Sequence, residues 1–274
     1  MKRSYWFRKS LLALFLSVTV GDAFAQAQPA EEYKPKVGQE GKDVIWVPTP
    51  QALVEKMLDV AKVTPKDYVI DLGSGDGRTV ISAAKRGARA LGIEYNPDMV
   101  ELSKRNAAKE GVNDRATFVN ADLFESDLSQ ATVITMFLLA DINLKLRPRI
   151  LDLMPGTRIV SNNFTMGAWS ADQIVTAEDD CVSYCVAYFW IVPAKVEGTW
   201  QLEQGELTLI QTFQMISGTL KSGSNAMQVI TGRLEGNRIT FTAGDGEYVG
   251  RVNGNVMEGI VSSGGNWKAS RAGN

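Results

Sequence analysis

The hydrophobic pattern changes character once along the chain, near Pro193, and that change constrains the fold more than any other feature. Before it, short apolar runs alternate with segments of helical period. After it, short apolar runs are separated only by turn signals. No proline follows Pro193, and fourteen of the 25 glycines lie between Gly198 and Gly273. Strands alternating with helices predict a parallel sheet covered on both faces. Short strands joined by tight turns predict a small antiparallel barrel or sandwich. The expected fold is therefore α/β, a Rossmann-like domain followed by a small all-β domain.

In the first half, Thr49-Pro50 reads as an N-cap followed by a first-turn proline, opening a helix on Leu53, Met57, Val60 and Ala61. Strands are expected at Tyr68–Leu72, Ala90–Glu94, Ala116–Asn120, Ala131–Leu138, Arg158–Ser161 and Cys185–Val192. Helices are expected from Arg78, from Pro97 behind the cap Asn96, and from about Asn143 to Leu153. In the second half, Ile216-Ser-Gly-Thr-Leu, Ile230-Thr-Gly-Arg-Leu and Tyr248-Val-Gly-Arg-Val echo one another, as hairpins of one barrel would.

The chain start reads as an address. Lys2, Arg3, Arg8 and Lys9 precede the ten-residue apolar run Leu11–Val20, and Ala23-Phe24-Ala25 or Ala25-Gln26-Ala27 offers a cleavage site. This is the order of a bacterial secretory signal. Gly21-Asp22 stops the run well short of the ~20 residues a spanning helix needs, so no membrane span is expected in the mature chain. The expected division is a signal at 1–27, a flexible linker at 28–45, an α/β domain at 46–195 and a β-domain at 196–274. The expected location is the periplasm, or the cytoplasm if the signal is not used.

Composition removes several chemistries. The chain has no histidine, which excludes histidine-based triads and histidine-ligated metal sites, and no metal is expected. Its formal charge is −2, and without residues 1–27 it has 25 Lys+Arg against 30 Asp+Glu, or −5. An acidic surface does not suit a nucleic-acid backbone. Cys181 and Cys185, if extended, lie about 13 Å apart, too far for a disulfide; they read as packing residues unless the segment curls.

The chemistry-bearing motif is Val69-Ile-Asp-Leu-Gly-Ser-Gly-Asp-Gly-Arg78, at the end of the first strand. Gly73, Gly75 and Gly77 allow a sharp turn and close approach of a ligand to the backbone. The spacing is G-x-G-x-G, not the G-x-G-x-x-G of pyrophosphate sites. Asp71 would repel a phosphate but suits a cation. Glu94, 23 residues on at the end of the second strand, is placed to accept both ribose hydroxyls. Asp122, after the third strand, is placed to meet an adenine edge.

On these residues the chain resembles the class I S-adenosylmethionine-dependent methyltransferases from about Val47 to Pro193. Val47-Pro-Thr-Pro50, the Asp71–Arg78 loop, Thr135-Met-Phe-Leu-Leu139, Asn143-Leu-Lys-Leu-Arg-Pro148 and Pro155-Gly-Thr-Arg-Ile-Val-Ser161 resemble bacterial relatives of the mitochondrial lysine methyltransferases that modify the c-ring protein of ATP synthase. The resemblance implies S-adenosylmethionine as cofactor. It implies contacts from Pro48, Thr49, Asp71, Gly73, Ser74, Gly75, Gly77, Glu94, Asp122, Met136 and Phe137. It implies an acceptor, a protein lysine or another amine, near Leu138, Asn162, Asn163 and Phe164. No catalytic base stands out. The Asp/Asn-Pro-Pro-Tyr/Phe loop of nucleobase and glutamine amino-methyltransferases is absent, with Met136-Phe137-Leu138 in its place. The β-domain lies outside the resemblance. Export away from the compartment that makes the methyl donor raises an alternative: a non-catalytic envelope binding protein with the first domain as scaffold.

Overall fold

The computed structural model describes residue 1, residues 33–203 and residues 205–273. The expected signal, apart from Met1, lies outside the described residues. Among those described, no helix is long and apolar enough to cross a membrane.

The first half is a seven-stranded sheet of β1 (Tyr68–Leu72), β2 (Arg89–Glu94), β3 (Ala116–Asn120), β4 (Val133–Met136), β5 (Arg158–Asn162), β6 (Gln173–Thr176) and β7 (Val186–Ile191). The order is β3-β2-β1-β4-β5-β7-β6, and only β7 runs against its neighbours. Alternation along each strand sends its side chains to two separate cores. Val69, Val133 and Val160 face the helices α1 (Gln51–Val60), α2 (Arg78–Lys85) and α3 (Pro97–Lys109). Ile70, Leu72, Ile134 and Ile159 face α4 (Ala140–Leu151). The chain order reverses between β1 and β4, and in such sheets ligands bind beyond the carboxyl ends of the strands at that point.

The second half is a closed antiparallel barrel of β8 (Gly198–Leu202), β9 (Gly205–Thr212), β10 (Met215–Ser222), β11 (Asn225–Glu235), β12 (Arg238–Ala243), β13 (Gly246–Asn253), β14 (Val256–Val261) and β15 (Asn266–Arg271). Consecutive strands pair, and β15 closes on β8 through Ala269 opposite Leu202. Closure removes both exposed sheet edges. Trp200, Leu207, Leu209, Ile239, Phe241 and Met257 fill the interior. Gly218 marks a register shift; a Cβ there would lie 1.9 Å from the Thr208 carbonyl oxygen.

The two halves are packed together. Phe213, in the β9–β10 turn, stacks on Trp169 at 6.0 Å and 13°. Gln214 Nε2 donates to the Ser170 carbonyl at 2.8 Å, and Arg233 pairs with Asp172 at 2.5 Å.

Several local expectations are corrected. Pro50, not Thr49, is the N-cap of α1, because the Thr49 hydroxyl is engaged by Asn162 Nδ2 at 3.2 Å. Helix α4 begins three residues earlier than expected and carries Pro148 inside it. Arg147 and Arg149, on α4, clamp backbone carbonyls. Arg147 donates to Met166 at 2.7 Å, and Arg149 donates to Leu123, Phe124 and Ser126. Cys181 and Cys185 form a disulfide, with Cα atoms 5.8 Å apart. The segment curls because Asp180 and Tyr184 take left-handed backbone conformations.

Candidate functional site

The site lies at the carboxyl ends of β1, β2 and β4. The Gly73–Gly77 loop begins where Gly73 N and Ser74 N both donate to the Ile93 carbonyl, at 2.9 and 3.1 Å. Ser103 Oγ donates to Gly75 O at 2.8 Å, and Asn106 Nδ2 to Asp76 O at 3.0 Å, so α3 holds the loop from behind. Gly75 has φ +55°, and a Cβ there would lie 2.7 Å from Trp46 Nε1. The loop is thus a cradle that a side chain would fill.

Glu94 ties this loop to the start of α3. One carboxylate oxygen accepts from Gly75 N and the other from Asn96 N, both at 2.9 Å. Each oxygen retains a lone pair for a ligand hydroxyl. Asp71 is buried, and Thr135 Oγ1, its register neighbour on β4, donates to it at 2.6 Å. Burial pushes the Asp71 carboxyl up to about 7; the Thr135 bond opposes the shift, and Glu94 and Asp76 add to it. A buried carboxyl without a cation nearby is a poor anion and a ready partner for an incoming ammonium.

Pro48, Thr49, Asp71, Gly73, Ser74, Gly75, Glu94, Asp122, Met136, Phe137 and Leu138 line one cavity. Gly77 does not line it. It is the left-handed N-cap of α2, and a Cβ there would meet the Phe118 ring at 2.8 Å and Ser103 Cβ at 2.9 Å, so it is spared for packing. Asn162, Asn163 and Phe164 also lie outside the cavity lining. Asn162 sits behind Thr49, and Phe164 stands beside Phe137 with ring centres 6.2 Å apart.

The described part of the expected linker is not a tether. Residues 36–46 fold into a strap: Gly38 N donates to Trp46 O and Trp46 N to Gln39 O, both at 2.9 Å. Residues 39–46 line the cavity, and Lys42 Nζ reaches Asp122 at 2.5 Å and lies 4.5 Å from the Tyr95 ring centre. The Lys42 hydrogen bond holds the Asp122 carboxyl below its ordinary range. The strap has no apolar period; its own backbone hydrogen bonds and its contacts with the site order it. Thr135 is equally hidden from sequence reasoning, because its role depends on strand register. Among the described residues, no group of acidic or cysteine side chains is arranged to hold a metal.

With this geometry in hand, the chain can be set beside known proteins. Residues 71–173 match the family described as the ANTKMT methyltransferase domain. A protein-lysine N-methyltransferase of Saccharolobus islandicus is 41% identical over 152 residues, covering 54% of this chain and 94% of that protein. The adenine nucleotide translocase lysine N-methyltransferase of Mus musculus is 31% identical over 131 residues, covering 47% of this chain and 57% of that protein. Among solved structures, an RNA methyltransferase from Salinibacter ruber in complex with S-adenosyl-L-homocysteine is 46% identical with a TM-score of 0.51. That match covers 55% of this chain and 96% of the other. All three matches cover about half of this chain.

Proposed function

This chain belongs to the class I S-adenosylmethionine-dependent methyltransferases, and from that premise we propose that it methylates the side-chain amine of a protein lysine. The chain is an enzyme of this class with S-adenosylmethionine as its cofactor; the acceptor is the proposal. The observation that carries it is the match to a protein-lysine N-methyltransferase along nearly the whole of that protein.

The cavity fits the cofactor. Asp71 would hold its ammonium, Glu94 its ribose hydroxyls and Asp122 its adenine edge, while the Gly73–Gly75 backbone allows close approach. Gly77 stands apart from this set. When bound, S-adenosylmethionine supplies an electrophilic methyl group on a good, neutral leaving group. The protein's own share is then proximity, alignment and exclusion of water. Phe137 and Leu138, with Phe164 behind, make the acceptor side apolar. Such surroundings disfavour a charged ammonium and lower the amine's pKa, so its proton passes to water and the lone pair is free. No side-chain base is required.

The 46% identical relative described as an RNA methyltransferase favours a second reading, an RNA acceptor. The formal charge of −5 without residues 1–27 weighs against it, because RNA binding draws on basic surfaces. Labelled S-adenosylmethionine offered with poly-L-lysine and with ribosomal RNA separates them. Label on lysine supports the proposal; label on RNA alone overturns it.

Location belongs to the same proposal. The signal-like residues 1–27 and the Cys181–Cys185 disulfide both suit an exported protein in an oxidising compartment. Cell fractionation of the tagged chain tests this, and tag confined to the cytoplasm would reject it.

A further inference from the structure

The family match ends at residue 173, yet the chain beyond it returns to the acceptor side of the site. The returning segment is the loop between β6 and β7. Its base is closed by Ala177 N donating to Cys185 O at 2.9 Å, and its tip by the Cys181–Cys185 disulfide. Cys181 also packs against the apolar core that holds α1 and α2. The loop is therefore pinned at two points, and its one aromatic, Tyr184, is held in a left-handed conformation.

Tyr184 is 40% exposed, so burial does not account for its placement. Its ring centre lies 5.1 Å from that of Phe137, at 59°. Phe137 lines the cofactor cavity on its other side and has Phe164 as its second neighbour. Asn163 N donates to Val186 O at 2.8 Å, which ties the Phe164 segment to the start of β7, two residues beyond Tyr184. Phe164 and Tyr184 thus both meet Phe137, which lines the wall of the cavity. Two residues before Phe164, the Asn162 side-chain oxygen is buried and has no hydrogen-bond partner.

We propose that Tyr184, held in place by the Cys181–Cys185 disulfide, forms with Phe137 and Phe164 an aromatic vestibule that binds the acceptor's alkylammonium head, making Tyr184 a specificity-determining residue. The proposal rests on the lysine reading above. Ring faces attract ammonium and methylated ammonium groups through their quadrupoles. The 59° angle makes a corner that suits a compact cation. Before transfer the vestibule receives the ammonium at the entrance, where its proton passes to water before the neutral amine moves on into the cavity, and afterwards it retains a partly methylated product for another round. Reduction of the disulfide frees Tyr184 while leaving the Asp71–Glu94 end untouched.

The test uses the full mature chain, oxidised and saturated with S-adenosylhomocysteine, titrated with Nε-trimethyl-lysine or with uridine monophosphate and followed by NMR. Trimethyl-lysine affinity should fall about two- to fivefold in Tyr184→Ala, the range of an exposed cation–π contact, and should persist in Tyr184→Phe. It should fall similarly in the Cys181→Ser/Cys185→Ser double variant and in wild type treated with dithiothreitol. S-adenosylhomocysteine affinity should stay the same throughout. Equal affinity in wild type and Tyr184→Ala, joint loss of both ligands, or binding of uridine monophosphate alone would each overturn the vestibule. Transfer to poly-L-lysine judges the lysine reading separately. Wild type that labels it, with KM unchanged in Tyr184→Ala, sinks only the Tyr184 role. Wild type that binds trimethyl-lysine through Tyr184 but labels no lysine sinks only the acceptor reading.

Discussion

The two ends of the site are built in opposite ways. The cofactor end is nearly contiguous: Asp71 to Gly75 supply the turn, and Glu94 from the next strand holds it through the Gly75 amide. The proposed acceptor end is assembled from Phe137, Phe164 and Tyr184, each on a different segment, with a disulfide to fix the last. Backbone-held geometry tolerates change elsewhere in the chain. Side-chain-held geometry depends on every segment that brings a ring to it. A chain built this way can keep one cofactor and alter its acceptor by changing loops.

The comparison breaks most readily at Gly75. Gly75→Val places a branched side chain on a left-handed residue and against Trp46 Nε1, where even a Cβ would sit at 2.7 Å. S-adenosylhomocysteine affinity should fall by at least about a hundredfold, judging from the ~1–3 kcal/mol of backbone strain combined with the occluded space. Calorimetric titration measures it, and wild-type affinity would refute the cradle. Glu94→Ala should cost about 1.5–3 kcal/mol of binding, the scale of hydrogen bonds to a charged group. An unchanged dissociation constant would place the ribose elsewhere.

The same contrast explains what is legible in the sequence. The cofactor end is legible because glycine spacing and a carboxylate at each strand end are local signals. The barrel is legible as short apolar runs separated by turn signals. Strand β6 escapes notice because it is an exposed edge with no apolar alternation. The strap escapes notice because Lys42 and Trp46 find their partners far along the chain. The disulfide is misjudged when an extended backbone is assumed where two left-handed residues bend it. Local patterns encode the first kind of geometry, and only the folded chain reveals the second.

The barrel sharpens the comparison from outside. Phe213 packs on Trp169, with the Arg147 guanidinium 5.3 Å from its ring centre, in the region that follows Phe164. Phe213→Ala should destabilise the fold by about 1–3 kcal/mol, less than a fully buried aromatic would because the ring is half-buried. A thermal melt records that loss. S-adenosylhomocysteine affinity below the melting range should be unaffected, and a parallel fall would tie the cofactor end to the barrel after all.

The last expected effect on the cofactor end concerns protons. In the ligand-free fold the Asp71 carboxyl is pushed up to about 7 by burial, against an ordinary value near 4. The raised value means the folded state favours the protonated form. The stability this gives is complete below the ordinary aspartate range and is lost as pH rises through about 7. Ligand binding carries the opposite sign, since the cofactor's ammonium needs the ionised carboxylate. Between pH 6 and 8 the ionised fraction climbs from about a tenth to about nine-tenths, so S-adenosylhomocysteine affinity should rise roughly tenfold. At still higher pH the ligand's own α-ammonium loses its proton and affinity should turn down again. Asp71→Asn should remove the rising limb and keep the falling one. A wild-type profile flat from about pH 6 to 8 would show that Asp71 is not the ammonium's partner, and the cofactor end would then rest on Glu94 and the glycine backbone alone.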